Sequence, residues 1–313
     1  MISNWGIHRV LFCPGVAGFY CTMRPMSLIV DLHTHSTASD GTLSPSELVT
    51  QAGAAGVGLL ALTDHDNTEG VAEAREAASG LGIELVSGIE ISVTWNAGVV
   101  HIVGLDIDIE NPLLCRGLAG VRAFRQWRAV EIGERLAKAG IPGAYEGARA
   151  LSNGRLISRT HFARFLVARG YAPDMRRVFK RFLVSGKPGH VPGRWARLED
   201  AVAWVRAAGG QAVIAHPARY SFSRSKLRRL IGEFSESGGS AIEVVSGSHT
   251  REESHTMGRH ARDFGLLGSV GSDYHGPESL WNGLGCIAPL PDGVEPVWAA
   301  WGQSRQSTHH NTP

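Results

Sequence analysis

Cysteine is scarce in this chain of 313 residues. Its four copies (Cys13, Cys21, Cys115, Cys286) form no C-x-x-C pair and no disulfide-like spacing. That argues against a disulfide scaffold or a thiolate metal site and points to a reducing, cytoplasmic setting. Long apolar runs are missing too: no stretch approaches the roughly 18 residues that a membrane helix needs. The run Val10–Tyr20 follows Arg9 but is broken by Pro14 and Gly15, with no A-x-A-like cleavage site after it, so no secretory signal is expected. Met23 and Met26 stand just before the first strand pattern, and residues 1–26 read as an extension from a start site placed too early. There is no internal repeat, no P-loop and no dinucleotide-binding glycine fingerprint. The polar tail, residues 303–313, reads as loose chain.

An excess of charge is also lacking, with 31 Lys and Arg against 29 Asp and Glu. The balance conceals a division. Residues 112–198 hold 18 basic and 4 acidic side chains, a net +14, while the remainder holds 13 and 25, a net −12. One part of the chain is suited to anions, and the other is rich in carboxylates.

The hydrophobic pattern alternates strands and helices: strands at Leu28–Leu32, Val57–Thr63, Ile83–Ile91 and Val99–Asp106, helices at Ser44–Ala55 and Val71–Ser79. Ser44 or Ser46 is the expected cap of the first helix, with Pro45 in its first turn. Residues 110–195 then show helical periodicity without strands, with Phe124, Trp127 and Val130 or Glu131 at helical spacing, and likewise Phe162, Phe165 and Leu166. Alternation resumes with helices Leu198–Ala208, Ser225–Glu236 and Arg251–Phe264 and strands Gln211–Ala215, Ala241–Ser246 and Leu267–Val270. The pattern predicts an α/β domain of parallel βαβ units, in two parts (27–109 and 196–302), interrupted by a basic helical insertion (110–195) that overhangs the strand ends.

Histidines gather at those ends. Asp31-Leu32-His33-Thr34-His35 closes the first strand, and its i, i+2 spacing on extended chain turns both imidazoles to one side. Asp40 follows. Thr63-Asp64-His65-Asp66 ends the second strand, Gly88-Ile89-Glu90 the third, and His101 sits in the fourth. Ala215-His216-Pro217 and Gly271-Ser272-Asp273-Tyr274-His275 close later ones. Any one of these alone is more simply a satisfied polar group, and Asp64 and Asp66 read as supporting groups. Six histidines and three carboxylates converging on one face read as a multinuclear metal site, since burying so many ionisable groups requires cations. Imidazole and carboxylate donors suit Zn, Mn or Fe.

The ordered elements DLHTHS, TDHD, GIE, His101, AHP and GSDYH resemble the polymerase and histidinol phosphatase (PHP) superfamily, over residues 27–302. The basic insertion and the segment from Leu284-Gly285 to Trp298 look most like its bacterial 3′,5′-nucleoside bisphosphate phosphatase subfamily, whose members are also described as 5′→3′ exoribonucleases. The resemblance implies a distorted (β/α)7 TIM-like barrel and up to three divalent metal ions, Mn²⁺ foremost with Zn²⁺, Fe²⁺ or Mg²⁺ as alternatives. It implies one ion on His33, His35, Glu90 and Asp273, a second on Glu90, His101 and His216, and a third on Asp40, His65 and His275. His33, His35, Glu90, Asp273 and His275 would carry the catalysis.

The expected reaction is hydrolysis of a phosphoester by a metal-bridging hydroxide, with His275 and Asp66 as candidates to assist proton transfer. The substrates expected are nucleoside 3′,5′-bisphosphates and short 5′-phosphorylated RNA. Arg159, His161, Arg164, Lys187 and Arg194 are the expected grip on a second phosphate, a ribose or the RNA backbone. Thr160 is read alternatively as the cap of a helix with Phe162, Phe165 and Leu166 packed inward. Asn67 stands where many relatives have Thr, on the substrate side of its loop. The rival readings are a small-metabolite phosphatase of the histidinol phosphate type and a non-catalytic, metal-dependent RNA-binding module. No membrane and no stable protein partner are expected.

Overall fold

A computed structural model describes residues 28–152, 155–277 and 283–301 of the chain; the expected N-terminal extension and polar tail lie outside them. Seven strands follow one another in chain order around a single sheet: β1 (Ile29–Asp31), β2 (Val57–Leu62), β3 (Glu84–Trp95), β4 (Gly98–Leu105), β5 (Gln211–Ile214), β6 (Ala241–Ser246) and β7 (Leu267–Gly271). The sheet curls back on itself: the Leu32 N–H donates to Val270 O at 3.0 Å, and Asp273 N–H to His33 O at 2.9 Å. The result is a barrel closed between β7 and β1.

The expectation of purely parallel strands is corrected at one place. β3 runs four residues past its expected end and turns directly into β4, and β4 pairs antiparallel with both β3 and β5. The cause is local. Asn96 and Ala97 both take positive φ, 44° and 59°, the conformation of a two-residue hairpin turn whose twist matches that of its strands. His101 thus sits in mid-strand, and its antiparallel strand brings it level with the carboxyl ends of its neighbours.

Helices α1 (Pro45–Ala54) and α2 (Val71–Ser79) flank the first strands. Ser44, rather than Ser46, caps α1, in a reciprocal capping box with Glu47. After β4 the chain is helical: α3 (Pro112–Lys138), α4 (Ala144–Leu151), α5 (Arg159–Ala168), α6 (Met175–Val178) and a π-helical turn at Phe179–Leu183. These carry a core of their own, in which Phe162, Leu166, Leu136 and Leu183 are fully buried. The apolar stripe of α3 is not the one expected. Trp127 and Val130 face outward, while Leu114, Leu118, Val121, Ala129, Ile132 and Leu136 point in, with Arg125 and Arg128 interrupting the buried row. Ser158, not Thr160, caps α5, whose Phe162, Phe165 and Leu166 do pack inward.

Helices α7 (Leu198–Ala207), α8 (Arg224–Glu236) and α9 (Arg251–Phe264) cover the remaining strands, sharing the main core with Ile89, Ile102, Ile214 and Ile242. Among the described residues no helix is long and apolar enough to cross a membrane.

Candidate active site

The barrel closure and the strand order bring the histidines together. Glu90 is at the centre, fully buried. Its Oε1 lies 2.8 Å from His101 Nδ1, 3.0 Å from His216 Nε2 and 3.4 Å from His33 Nε2; its Oε2 lies 2.7 Å from His65 Nδ1 and 3.4 Å from His35 Nε2. Asp273 Oδ1 stands 3.3 Å from His35 Nε2 and 3.6 Å from both His33 Nε2 and His275 Nδ1. Asp40 Oδ1 faces His275 Nε2 at 3.3 Å and His65 Nε2 at 3.8 Å. All nine residues named as ligands from the sequence therefore share one cluster.

Backbone turns aim several of these groups. His216 and Asp273 sit just past β5 and β7 with φ of +30° and +54°, and Asp66 after β2 has +49°. Non-glycine residues take that region at a cost and persist where the surroundings hold them, often at functional sites. Glu243 on β6 ties the His33 imidazole to the His216 backbone: its Oε1 is 2.9 Å from His33 Nδ1, and its Oε2 accepts the His216 backbone N–H. Gly271 lets His33 approach, since a Cβ there would lie 2.2 Å from the His33 Cβ.

The ligand atoms fit cations better than one another. Buried nitrogens or oxygens of His33, His35, Asp40, His65 and Glu90 make no hydrogen bond among the described residues, although oppositely disposed groups are close. They fall into overlapping sets whose ligand atoms lie within 4.8 Å of one another: His33, His35 and Asp273; His65, Glu90 and His101; and His35, Asp40, His65 and His275. Burial, with the nearby His275, drives the His35 pKa down to about 3, and burial takes His101 down to about 4 despite Glu90. Both imidazoles are neutral, whereas at His275 burial is outweighed by Asp40 and Asp273, which hold its pKa up at about 9, so its proton has to leave before it binds a cation. Burial opposes ionisation of Glu90, but His101, His65 and His33 hold its carboxyl well below the usual range.

A cavity of about 320 Å³ opens over this cluster. Its wall carries four guanidinium groups, Arg125, Arg128, Arg159 and Arg219, with the rings of Phe179, Trp195 and Tyr220. Arg125 Nε is 2.6 Å from Asp66 Oδ2, and Arg219 Nη1 is 2.8 Å from Asp273 Oδ2. No carboxylate oxygen of the described residues lies within 4 Å of Arg128 or Arg159. Burial, with Arg159 and Arg125 beside it, lowers the Arg128 pKa to about 9. A group of cations that outnumbers its carboxylate partners, two of them buried as Arg125 and Arg128 are, is stabilised by an anion.

Of the six substrate contacts expected from the sequence, only Arg159 lines this cavity. His161 Nδ1 accepts the Ser158 N–H at 3.0 Å and closes the capping box of α5. Arg164 Nη1 donates to Asp40 O at 3.0 Å, bracing the ligand loop. Asn67 is buried, donating to Ala38 O and accepting the Glu69 N–H. Lys187 and Arg194 are exposed outside the cavity lining. Asp66 is committed to the Ser92 N–H and to Arg125, which leaves it no proton-transfer role at the cavity. Asp64 accepts bonds from Ser36 and Ser39 and holds their loop.

Sequence reasoning missed Arg125, Arg128, Arg219, Tyr220, Phe179, Trp195 and Glu243. Two signals were there. Glu243 is a carboxylate inside the apolar strand AIEVVS, and Arg125 and Arg128 stand in the apolar stripe of α3.

The PHP domain model matches residues 31–139. The chain is 49% identical over 270 residues to the 3′,5′-nucleoside bisphosphate phosphatase of Chromobacterium violaceum, covering 86% of this chain and 95% of that protein. The chain belongs to the PHP family. This PHP chain is also 47% identical over 284 residues to the 5′-3′ exoribonuclease Rnm of Escherichia coli, covering 90% of the chain and 97% of the relative. A solved structure of an amidohydrolase from C. violaceum, described as having bound sulfate and no metal, superposes with a TM-score of 0.84 at 47% identity, over 89% of this chain and 96% of that one.

Proposed function

We propose that this PHP chain is a metal-dependent phosphoesterase that removes the 3′-phosphate of nucleoside 3′,5′-bisphosphates and trims short 5′-phosphorylated RNA from its 5′ end. The observation that carries the reading is one cavity with nitrogen and oxygen ligands on its floor and four guanidiniums on its wall. The names of the two relatives support the same chemistry. In both substrates the bond broken joins phosphorus to the 3′-oxygen of a 5′-phosphorylated nucleotide. One site serves both if it grips the 5′-phosphate and leaves the far side of the attacked phosphate open.

His33, His35, Glu90 and Asp273 would hold one divalent ion, Glu90, His101 and His216 a second, and Asp40, His65 and His275 a third, with Mn²⁺ the favoured metal. When bound, the ions supply Lewis acidity toward water and the phosphoryl group at neutral pH. The protein supplies the rest. Arg128 and Arg159 hold the phosphate that is not cleaved, their charge uncompensated until it arrives. Arg219, anchored by Asp273, is placed beside the attacked phosphate. The Tyr220 hydroxyl accepts the His101 backbone N–H at 2.8 Å and keeps its own proton to donate into the cavity. Phe179, presented by the π-helical turn, and Trp195 give the nucleoside apolar walls. Residues 110–195 act as a cap over barrel parts 27–109 and 196–302, in a cytoplasmic enzyme.

The test offers the purified protein with Mn²⁺ adenosine 3′,5′-bisphosphate, histidinol phosphate and a 5′-phosphorylated RNA oligomer. Phosphate release from the bisphosphate and nucleotide release from the RNA are expected. Glu90→Gln lowers both by about 100-fold or more and reduces the bound metal, since outer-shell changes alone cost about 10–100-fold. Turnover of histidinol phosphate alone would overturn the substrate assignment, and undiminished activity in Glu90→Gln would overturn the site.

A further inference from the structure

The cap carries an aromatic feature that hydrolysis of a mononucleotide does not use. Trp127 projects from the outward face of α3 with 54% of its surface exposed. An indole is a large apolar body, and leaving one in water on an otherwise well-packed helix forgoes much burial energy. It is not isolated. The Phe124 ring lies 5.5 Å from Trp127 and meets Trp195 edge-on at 4.8 Å. Trp195 is itself part of the cavity wall. The three rings form a continuous row from the cavity out to solvent.

The inner end of the row is rigid. The guanidiniums of Arg125 and Arg128 lie 4.9 and 5.2 Å from the centre of the Trp195 ring. The Trp195 backbone N–H donates to Thr94 Oγ1 at 2.9 Å, and Gly193 packs so closely that a Cβ would clash with the indole. The surroundings suit a polyanion, because the row crosses the segment of net charge +14. The carboxylate one turn beyond Trp127, Glu131, is paired with Arg135 at 2.6 Å.

We infer that Phe124 and Trp127, continuing the row from Trp195, form a stacking ledge for the part of a single-stranded RNA that extends out of the cavity beyond the nucleotide held there. The inference rests on the phosphoesterase reading, which places the RNA end in the cavity. Basic surroundings combined with aromatic faces are how proteins hold single strands without reading sequence. The ring-to-ring steps of 4.8 and 5.5 Å put Trp127 at most about 10 Å from Trp195, a span that about three nucleotides cover at roughly 3.4 Å each. A bisphosphate is too short to touch Trp127, whereas a hexamer reaches it. The ledge makes the enzyme discriminate by length.

The experiment compares Trp127→Ala and Trp127→Phe with the parent on adenosine 3′,5′-bisphosphate and on 5′-phosphorylated hexamers of mixed sequence. Direct binding of a 3′-fluorescein hexamer is followed by anisotropy in the presence of chelator. Trp127→Ala is expected to raise KM and Kd for the hexamer at least five-fold, to leave kcat/KM on the bisphosphate within two-fold, and to be largely rescued by Phe. Equal losses on both substrates, or an unchanged hexamer, overturn the ledge. So does sedimentation showing that Trp127 instead joins two copies of the chain. Should the parent release no phosphate from the bisphosphate, the reaction assigned above fails, and the anisotropy series judges the ledge independently.

Discussion

The ion pair between Asp66 and Arg125 ties α3 to the barrel, and its removal is the sharpest test of how the site is built. Arg125 Nε meets Asp66 Oδ2 at 2.6 Å, with side-chain exposures of 8% and 0%. Asp66 Oδ1 also accepts the Ser92 N–H at 2.7 Å, and Arg125 Nη2 donates to Ser92 Oγ at 2.8 Å. Asp66→Asn keeps the shape, and asparagine tolerates the φ of +49° as well as aspartate does. The amide has one acceptor oxygen where the carboxylate has two, so Ser92 N–H or Arg125 Nε faces an NH₂ group. The change also leaves the guanidinium buried without its counter-charge. Breaking such a pair from one side costs about 3–5 kcal/mol. Urea unfolding at one fixed Mn²⁺ concentration should show that loss as a lower midpoint with an unchanged m-value. A cycle with Arg125→Met should show a coupling of at least about 2 kcal/mol, because the double variant strands no charge. Since Arg125 lines the cavity, KM should rise as well. A loss below about 1 kcal/mol for Asp66→Asn would mean that water screens the pair and that α3 is not anchored there.

Two other changes probe the packing behind the ligands and a histidine away from them. Gly271→Ala drives a Cβ to 2.2 Å from that of His33 and 2.7 Å from Glu243 Oε1; an overpacking cost of about 1–3 kcal/mol, with a fall in metal stoichiometry by elemental analysis, is expected, and full metal content would refute the close packing. His260 on α9 is buried, and burial, aided by Arg228 and only partly opposed by Asp263, lowers its pKa below 6.5. The unfolded chain thus binds the proton more readily, so this group costs nothing above pH 6.5 and destabilises the fold as pH falls below it. His260→Leu should flatten the decline of the urea midpoint between pH 7 and pH 5, and parallel curves would refute the assignment.

How far the sequence was legible follows from what each signal depends on. The ends of α2, β6 and α9 could be read directly, because apolar periodicity, caps and Gly265 are local. The antiparallel run of β3 into β4 was missed because it hangs on two positive φ values at Asn96 and Ala97, a turn without the usual glycine pair. The stripe of α3 was misplaced because its inward face carries Arg125 and Arg128, and a pattern search rejects arginine from a core.

The sequence by itself determined the donor chemistry offered to the site: nine imidazole and carboxylate side chains, all but the mid-strand His101 tied to a strand end or the loop beside it, with no thiolate competing. A strand's end is a local property, and closing the barrel was bound to bring such ends together. Which cations face the cavity was decided only by tertiary structure. Arg164, His161 and Asn67 looked like substrate contacts but are spent on Asp40, on a helix cap and on a loop carbonyl. Arg125 and Arg128 on α3 and Arg219 after β5 stand with Arg159 of α5 around the opening. Charge is written in the sequence; its direction is fixed by how α3, α5 and the turn after β5 pack around the barrel mouth.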